Sequence, residues 1–155
     1  CFVGPEHEKG VIKERFEGYC KAMTECGYHA FIREECVNIT SFESGIEIGK
    51  KLAFDDKPVT AVFTTADIIA LGVMEGFKLS GKRVPEDYSV IGFDNLPECQ
   101  YSTPKLTSIN QNMSKKAERA AELLFSFLKD KCVTPVNEII PVDLIERQSV
   151  RRLII

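Results

Sequence analysis

No apolar stretch in the 155 residues approaches the ~18–20 that a membrane-spanning helix requires. An excess of basic charge is missing too, since 20 Lys and Arg stand against 23 Asp and Glu for a formal charge of −3. Nucleic-acid surfaces draw much of their affinity from neutralising phosphates. These residues are therefore not expected to touch DNA themselves. Arg147, Arg151 and Arg152 form a small basic cluster that reads as a solvated terminus. Histidine is scarce: His7 and His29 lie far apart with no cysteine or carboxylate pattern beside them. That leaves no zinc site and little scope for a nucleophile–base pair. A Gly-x-Ser-x-Gly elbow is also absent. No metal, no cofactor and no catalytic centre is expected. Six cysteines, at 1, 20, 26, 36, 99 and 132, form no Cys-x-x-Cys pair, and are expected as mostly buried small hydrophobes of a cytoplasmic protein. No signal peptide is visible. Cys1-Phe2-Val3-Gly4-Pro5 reads as the tail of a strand whose beginning is missing.

What is present alternates between strand and helix, with 44% apolar residues to build one core. A helix is predicted over Glu8 to Cys26, with Ile12, Phe16, Tyr19, Cys20 and Met23 at helical spacing and Gly27 as its stop. A strand follows at His29 to Arg33. Thr40 or Ser41 can cap a second helix to about Phe54, with Ile48 and Leu52 on one face. Pro58 sets off the strand Thr60 to Phe63. Asp67 is placed to cap a third helix to about Ser80, where Leu71, Met74 and Leu79 contribute to burial and Gly81 ends it. Ser89 to Phe93 and Leu106 to Ile109 are further strands. Ser114 caps a last helix to about Leu128, with Ala117, Ala121, Leu124 and Leu128 on one face. Asn137 to Arg147 alternates loosely around Pro141, as an edge strand or a broken pair would. Such βαβ alternation argues an α/β protein with a parallel sheet covered on both faces.

Few residues carry chemistry. Gly45-Ile46-Glu47-Ile48-Gly49-Lys50-Lys51 falls short of a phosphate loop, because one residue and the Ser/Thr after the lysine are missing and it sits inside a helix. Gly72 and Gly76 would let the third helix approach a sheet or a partner chain closely. Asp67 and Asp94 each follow a buried strand within a few residues. In open α/β sheets ligands bind just beyond the carboxyl ends of strands, so both are candidates. Capping accounts for Asp67 without a ligand, and a turn before Asn95 accounts for Asp94 as well as a ligand does. Arg15 has the local character of a solvated arginine, but its rigid donor fork can also project over the strand ends.

Several segments together carry a family resemblance. They are Arg15-Phe16-Glu17-Gly18-Tyr19 with Ala22 and Gly27; Pro58 to Phe63 with Asp67 and Ala70-Leu71-Gly72; and Gly81-Lys82-Arg83-Val84-Pro85-Glu86-Asp87. Val90-Ile91-Gly92-Phe93-Asp94 with Thr103-Pro104 and Leu106-Thr107 follows, and then Leu144-Ile145-Glu146-Arg147-Gln148-Ser149. In order and spacing they resemble the effector-binding domain of the lactose, purine and ribose repressor family of bacterial transcription regulators. The resemblance implies a three-layer parallel-sheet lobe of the periplasmic-binding-protein-like fold. Residues 1–155 would be the carboxy-terminal part of a ligand-sensing domain, with helix 114–128 packing in a missing first lobe. Operator DNA would be contacted only by a helix-turn-helix domain amino-terminal to these residues.

Carried over by position, Arg15 and Asp94 match the family's principal polar effector contacts, and Asp67 lies next to the pocket. Ala66 stands where many sugar-sensing members have Asn, and Thr40 where several place a stacking ring. Losing that amide and that ring leaves fewer partners for ring hydroxyls. The function implied is a cytoplasmic repressor that senses a small polar metabolite, a sugar or a related compound, by closing two lobes over it. A homodimer is expected, either through the third helix and the Leu96–Tyr101 loop or by exchange of the Ser114–Leu128 helix. The alternative is a periplasmic solute-binding protein for uptake. An enzyme of flavodoxin-like topology comes third, and Gly4-Pro5-Glu6-His7-Glu8 is the wrong chemistry for its phosphate loop.

Overall fold

In the computed structural model, residues 1–6, 10–57, 59–130 and 136–152 are described. Strands β1 (Phe2–Pro5), β2 (Glu34–Val37), β3 (Ala61–Thr64), β4 (Ser89–Phe93), β5 (Thr107–Asn110) and β6 (Asp143–Ile145) form one sheet in the order β2-β1-β3-β4-β5-β6. The first five run parallel, and β6 closes one edge antiparallel to β5, with Ile109 opposite Leu144. Helices α1 (Val11–Glu25), α2 (Phe42–Ala53) and α3 (Asp67–Leu79) follow the first three strands, and α4 (Met113–Asp130) follows β5.

Successive strand residues point to opposite faces, so each face collects its own set of side chains. Phe2 turns toward α1, where its ring meets Phe16 at 5.2 Å, Tyr19 at 5.8 Å and Phe63 at 5.8 Å between centroids. Val3, Val62 and Val90 turn the other way and form the core with Leu52, Ile69, Val73, Phe77 and Leu106, all fully buried or nearly so. Each such side chain stabilises the fold by roughly 1.5–3 kcal/mol relative to exposure. On α1 the anticipated stripe of Ile12, Phe16, Tyr19, Cys20 and Met23 is half-buried. Gly27 and Gly81 stop α1 and α3 at φ of +78° and +73°, a backbone conformation that costs glycine nothing.

The glycine pairs inside α2 and α3 face each other. A Cβ on Gly72 would strike the Phe42 carbonyl and stand 2.9 Å from the Gly45 Cα, and Gly49 meets Gly76 in the same way. The anticipated close approach is therefore helix to helix, neither to the sheet nor to a partner. Ser41 caps α2, its hydroxyl accepting from the Ser44 N–H at 3.1 Å.

Several expectations are corrected. His29–Phe31 is a short 3₁₀ turn and the second strand begins at Glu34. Adjacent glutamates hid that strand, because Glu35 is buried only through its partners Lys51 (2.6 Å) and Arg33 (2.7 Å). Leu79 is 61% exposed, while Val73 and Phe77 fill the core of α3 instead. The start of α4 is Met113, so Ser114 sits within its first turn and is not the cap. Among the described cysteines only Cys99 is buried; Cys36 lies on the outer face of edge strand β2 and Cys26 ends α1. Pro58, Cys132 and the anticipated start of the first helix at Glu8 lie outside the described residues.

Candidate ligand-binding site

Because β1 to β5 run parallel, their carboxyl ends share one rim. There Arg15, on the first turns of α1, leans back over the sheet. Its Nη1 donates to the Thr65 carbonyl at 2.6 Å, and its guanidinium carbon lies 3.7 Å from the centroid of the Phe93 ring. Arg15 is thus a partly buried, pre-aimed donor fork and not a solvated arginine. Burial pulls its pKa below the usual arginine value, and Asp94 partly opposes this. Asp94 follows Phe93 directly. Burial raises its carboxyl above the ordinary range, against the opposing pull of Gln111 and Arg15. Gln111, just past β5, donates through Nε2 to Asp94 Oδ1 at 2.5 Å and accepts from Lys116 Nζ at 2.9 Å. The rim therefore presents a fork of donors, an acceptor carboxylate and an amide, which together can bind a ligand carrying several neighbouring hydroxyl or amide groups.

Asp67 is corrected on one point. The cap position of α3 is Ala66, and Asp67 is the first helical residue, with no surface exposed. Its Oδ1 accepts from Ser108 Oγ at 2.6 Å and its Oδ2 from the Leu96 N–H at 2.7 Å. Gly92 lies beneath it, where a Cβ would collide with Oδ1. Asp67 thus ties the loop after β4 to β5. Burial first, and then the Asp67 carboxylate, push the neighbouring Cys99 thiol up to about 12. Ala66 is half-buried beside Thr65, and its carbonyl accepts from Thr64 Oγ1 at 2.9 Å. Thr40 lies exposed past β2, on the same rim.

Gln111 and Arg147 were not singled out as site residues. Nothing in periodicity marks Gln111, although its place just past a strand was a usable signal. Arg147 is half-buried, bonded to Asn95 and to the Leu106 carbonyl, and not the solvated terminal residue anticipated.

The model of the periplasmic binding protein-like domain matches residues 1–150. The chain belongs to that family. Within it, the relatives are regulators: the HTH-type transcriptional repressor PurR of Mannheimia succiniciproducens is 36% identical over 98% of this chain and 46% of its own length. The HTH-type transcriptional repressor CytR of Escherichia coli is 34% identical over 99% of this chain and 45% of its own. A LacI family transcriptional regulator from Enterococcus faecium, solved with bound ribose, superposes with a TM-score of 0.87 at 30% identity, covering 96% of this chain and 55% of that one. The CelR–cellobiose complex gives 0.82 at 25% identity, over 96% of this chain and 46% of that one. This periplasmic-binding-protein-like chain is thus of the LacI and purine repressor type, and spans about half the length of the relatives it matches.

Proposed function

We propose that this chain is the effector-sensing part of a cytoplasmic bacterial transcriptional repressor, binding a small polar metabolite, a sugar or a related compound. The observation that carries the reading is the convergence of Arg15 and Asp94 at the carboxyl ends of β3 and β4, where the guanidinium is already held by Thr65 and Phe93. A ligand hydroxyl can donate to Asp94 while accepting from Arg15. Ala66 and Thr40 add little polar surface, so most of the recognition falls to Arg15, Asp94 and Gln111. Binding would close a second lobe over this rim and shift the population of conformers that hold operator DNA. Repressor relatives, among them sugar-bound LacI-family structures, support this over a solute-uptake protein or an enzyme.

The protein acts as a homodimer in this reading. The surface offered is the outer side of α3 with the turn after β4, where Leu71, Met74, Val84 and Pro104 line a groove of about 530 Å³ and Tyr101 stands 81% exposed. A half-buried apolar groove beside an exposed Tyr101 is a surface that a second copy can cover. A thermal-shift screen of the natural protein against sugars, nucleobases and sugar phosphates, followed by operator-binding assays with each compound that shifts the melt, tests the function. Absence of any operator response to every stabilising compound would overturn it.

A further inference from the structure

The turn that carries Asp94 is held in an unusual backbone conformation. Asp94 and Asn95 are successive non-glycine residues at φ of +117° and +58°. Such geometry persists only where the surroundings over-determine it. Two of the holders come from β5: the Asp94 N–H donates to the Ile109 carbonyl at 2.9 Å and the Asn95 N–H to Ser108 Oγ at 3.0 Å. Another comes from the head of α3, where Asp67 Oδ2 accepts from the Leu96 N–H. A further holder comes from the segment after β6. Arg147 Nη2 donates to Asn95 Oδ1 at 2.6 Å, while its Nη1 holds the Leu106 carbonyl at 2.7 Å and its backbone N–H the Thr107 hydroxyl at 2.9 Å.

That segment does not depend on the guanidinium to stay in place. The Gln148 N–H donates to the Lys105 carbonyl at 2.9 Å, and the Val90 N–H to the Ser149 carbonyl at 2.8 Å. The fully buried Ser149 hydroxyl bridges β4 and β5, accepting from the Thr107 N–H at 2.8 Å and donating to the Val90 carbonyl at 2.6 Å. The one contact of Arg147 that reaches the rim turn is with Asn95, one residue from the ligand carboxylate.

We propose that Arg147 is a positioning residue for Asp94: anchored on the Leu106 carbonyl, its fork clamps Asn95 and so fixes where the Asp94 carboxylate points. This rests on the reading of Asp94 as an effector contact. It adds a residue from the far end of the chain to the determinants of affinity, acting through the turn and not by touching the ligand. A lysine cannot replace it, because a single ammonium cannot hold the Leu106 carbonyl and the Asn95 amide in the same fixed fork.

Carbon-detected NMR titration of aspartate carboxyls in the ligand-free natural protein tests the clamp. The expected wild-type result is an Asp94 carboxyl that titrates above the ordinary range and a Gln111 side-chain amide with one shifted pair of resonances. In Arg147→Gln and Arg147→Lys the turn loosens and admits water, the Asp94 titration moves down toward the ordinary range, and the Gln111 pair moves toward its random-coil position. Asn95→Gly removes the acceptor at a φ of +58° that glycine adopts freely, and gives the same result, which keeps the test open if an Arg147 variant fails to fold. An unchanged Asp94 titration and unchanged Gln111 amide in folded Arg147→Gln or Asn95→Gly would overturn the proposal. The reading beneath it fails separately: a thermal-shift response to the sugar, nucleobase and sugar-phosphate panel that survives Asp94→Ala removes Asp94 from the effector site, whatever Arg147 does to its titration.

Discussion

The guanidinium carbon of Arg15 lies over the Phe93 ring, 3.7 Å from its centroid, while Nη1 donates to the Thr65 carbonyl. A helix and two strands thereby fix one donor fork before any ligand arrives. Fixing a binding group in advance reduces the ordering cost of association.

Arg15→Lys keeps the charge but loses both the guanidinium over Phe93 and the donor fork. Effector affinity should fall by about 1.5–3 kcal/mol, the usual range for a hydrogen bond to a charged group, with Arg15→Ala at least as damaging. Isothermal titration of the natural protein with its strongest panel compound measures it. Equal affinity in wild type and Arg15→Lys would show that the fork does not meet the ligand.

Asp94 ionises against burial, so its charged form is disfavoured in the ligand-free fold. Its folded pKa is raised, so the stability it contributes is fully present at pH below the unfolded value and is lost as pH rises through the folded one. Asp94→Asn removes that loss and keeps a side chain of nearly the same shape at that φ of +117°. At neutral pH the ligand-free variant should melt higher, while effector binding weakens. Paired melts and titrations check both halves. A destabilised Asp94→Asn would contradict the electrostatic account.

Gly72 has no room for a methyl group against the Phe42 carbonyl. Gly72→Ala must push α2 and α3 apart and should cost about 1–3 kcal/mol, as overpacking in a tight core does. Denaturant unfolding reads the change. Wild-type stability in this variant would mean that the two helices do not pack backbone to backbone.

Asp55 is held down to about 2 from the usual 3.8, first by its bond to Arg33 and next by the Lys57 N–H. Its folded pKa is depressed, so its contribution is present above the unfolded value and lost as pH falls between about 4 and 2. Asp55→Asn should therefore flatten the fall in melting temperature across that window. An unchanged slope would assign the acid sensitivity to other carboxylates.

Much of this architecture was legible in the residue order. Apolar spacing marked α1 through Ile12, Phe16, Tyr19, Cys20 and Met23, the run Ser89 to Phe93 marked β4, and Gly27 and Gly81 marked two helix ends, because periodicity and φ preference are local properties. The repressor-type motifs also pointed to Arg15 and Asp94. Tertiary structure alone decided the rest. Asp67 had the local look of a cap, yet Ser108 and Leu96, 41 and 29 positions away, make it a buried tie. Arg147 looked like a solvated end residue, yet it reaches Asn95 across 52 positions. The strand at Glu34 escaped notice because Arg33 and Lys51 neutralise Glu35 from outside the strand. Polar side chains are placed by partners far along the chain, and no local pattern encodes which partners those will be.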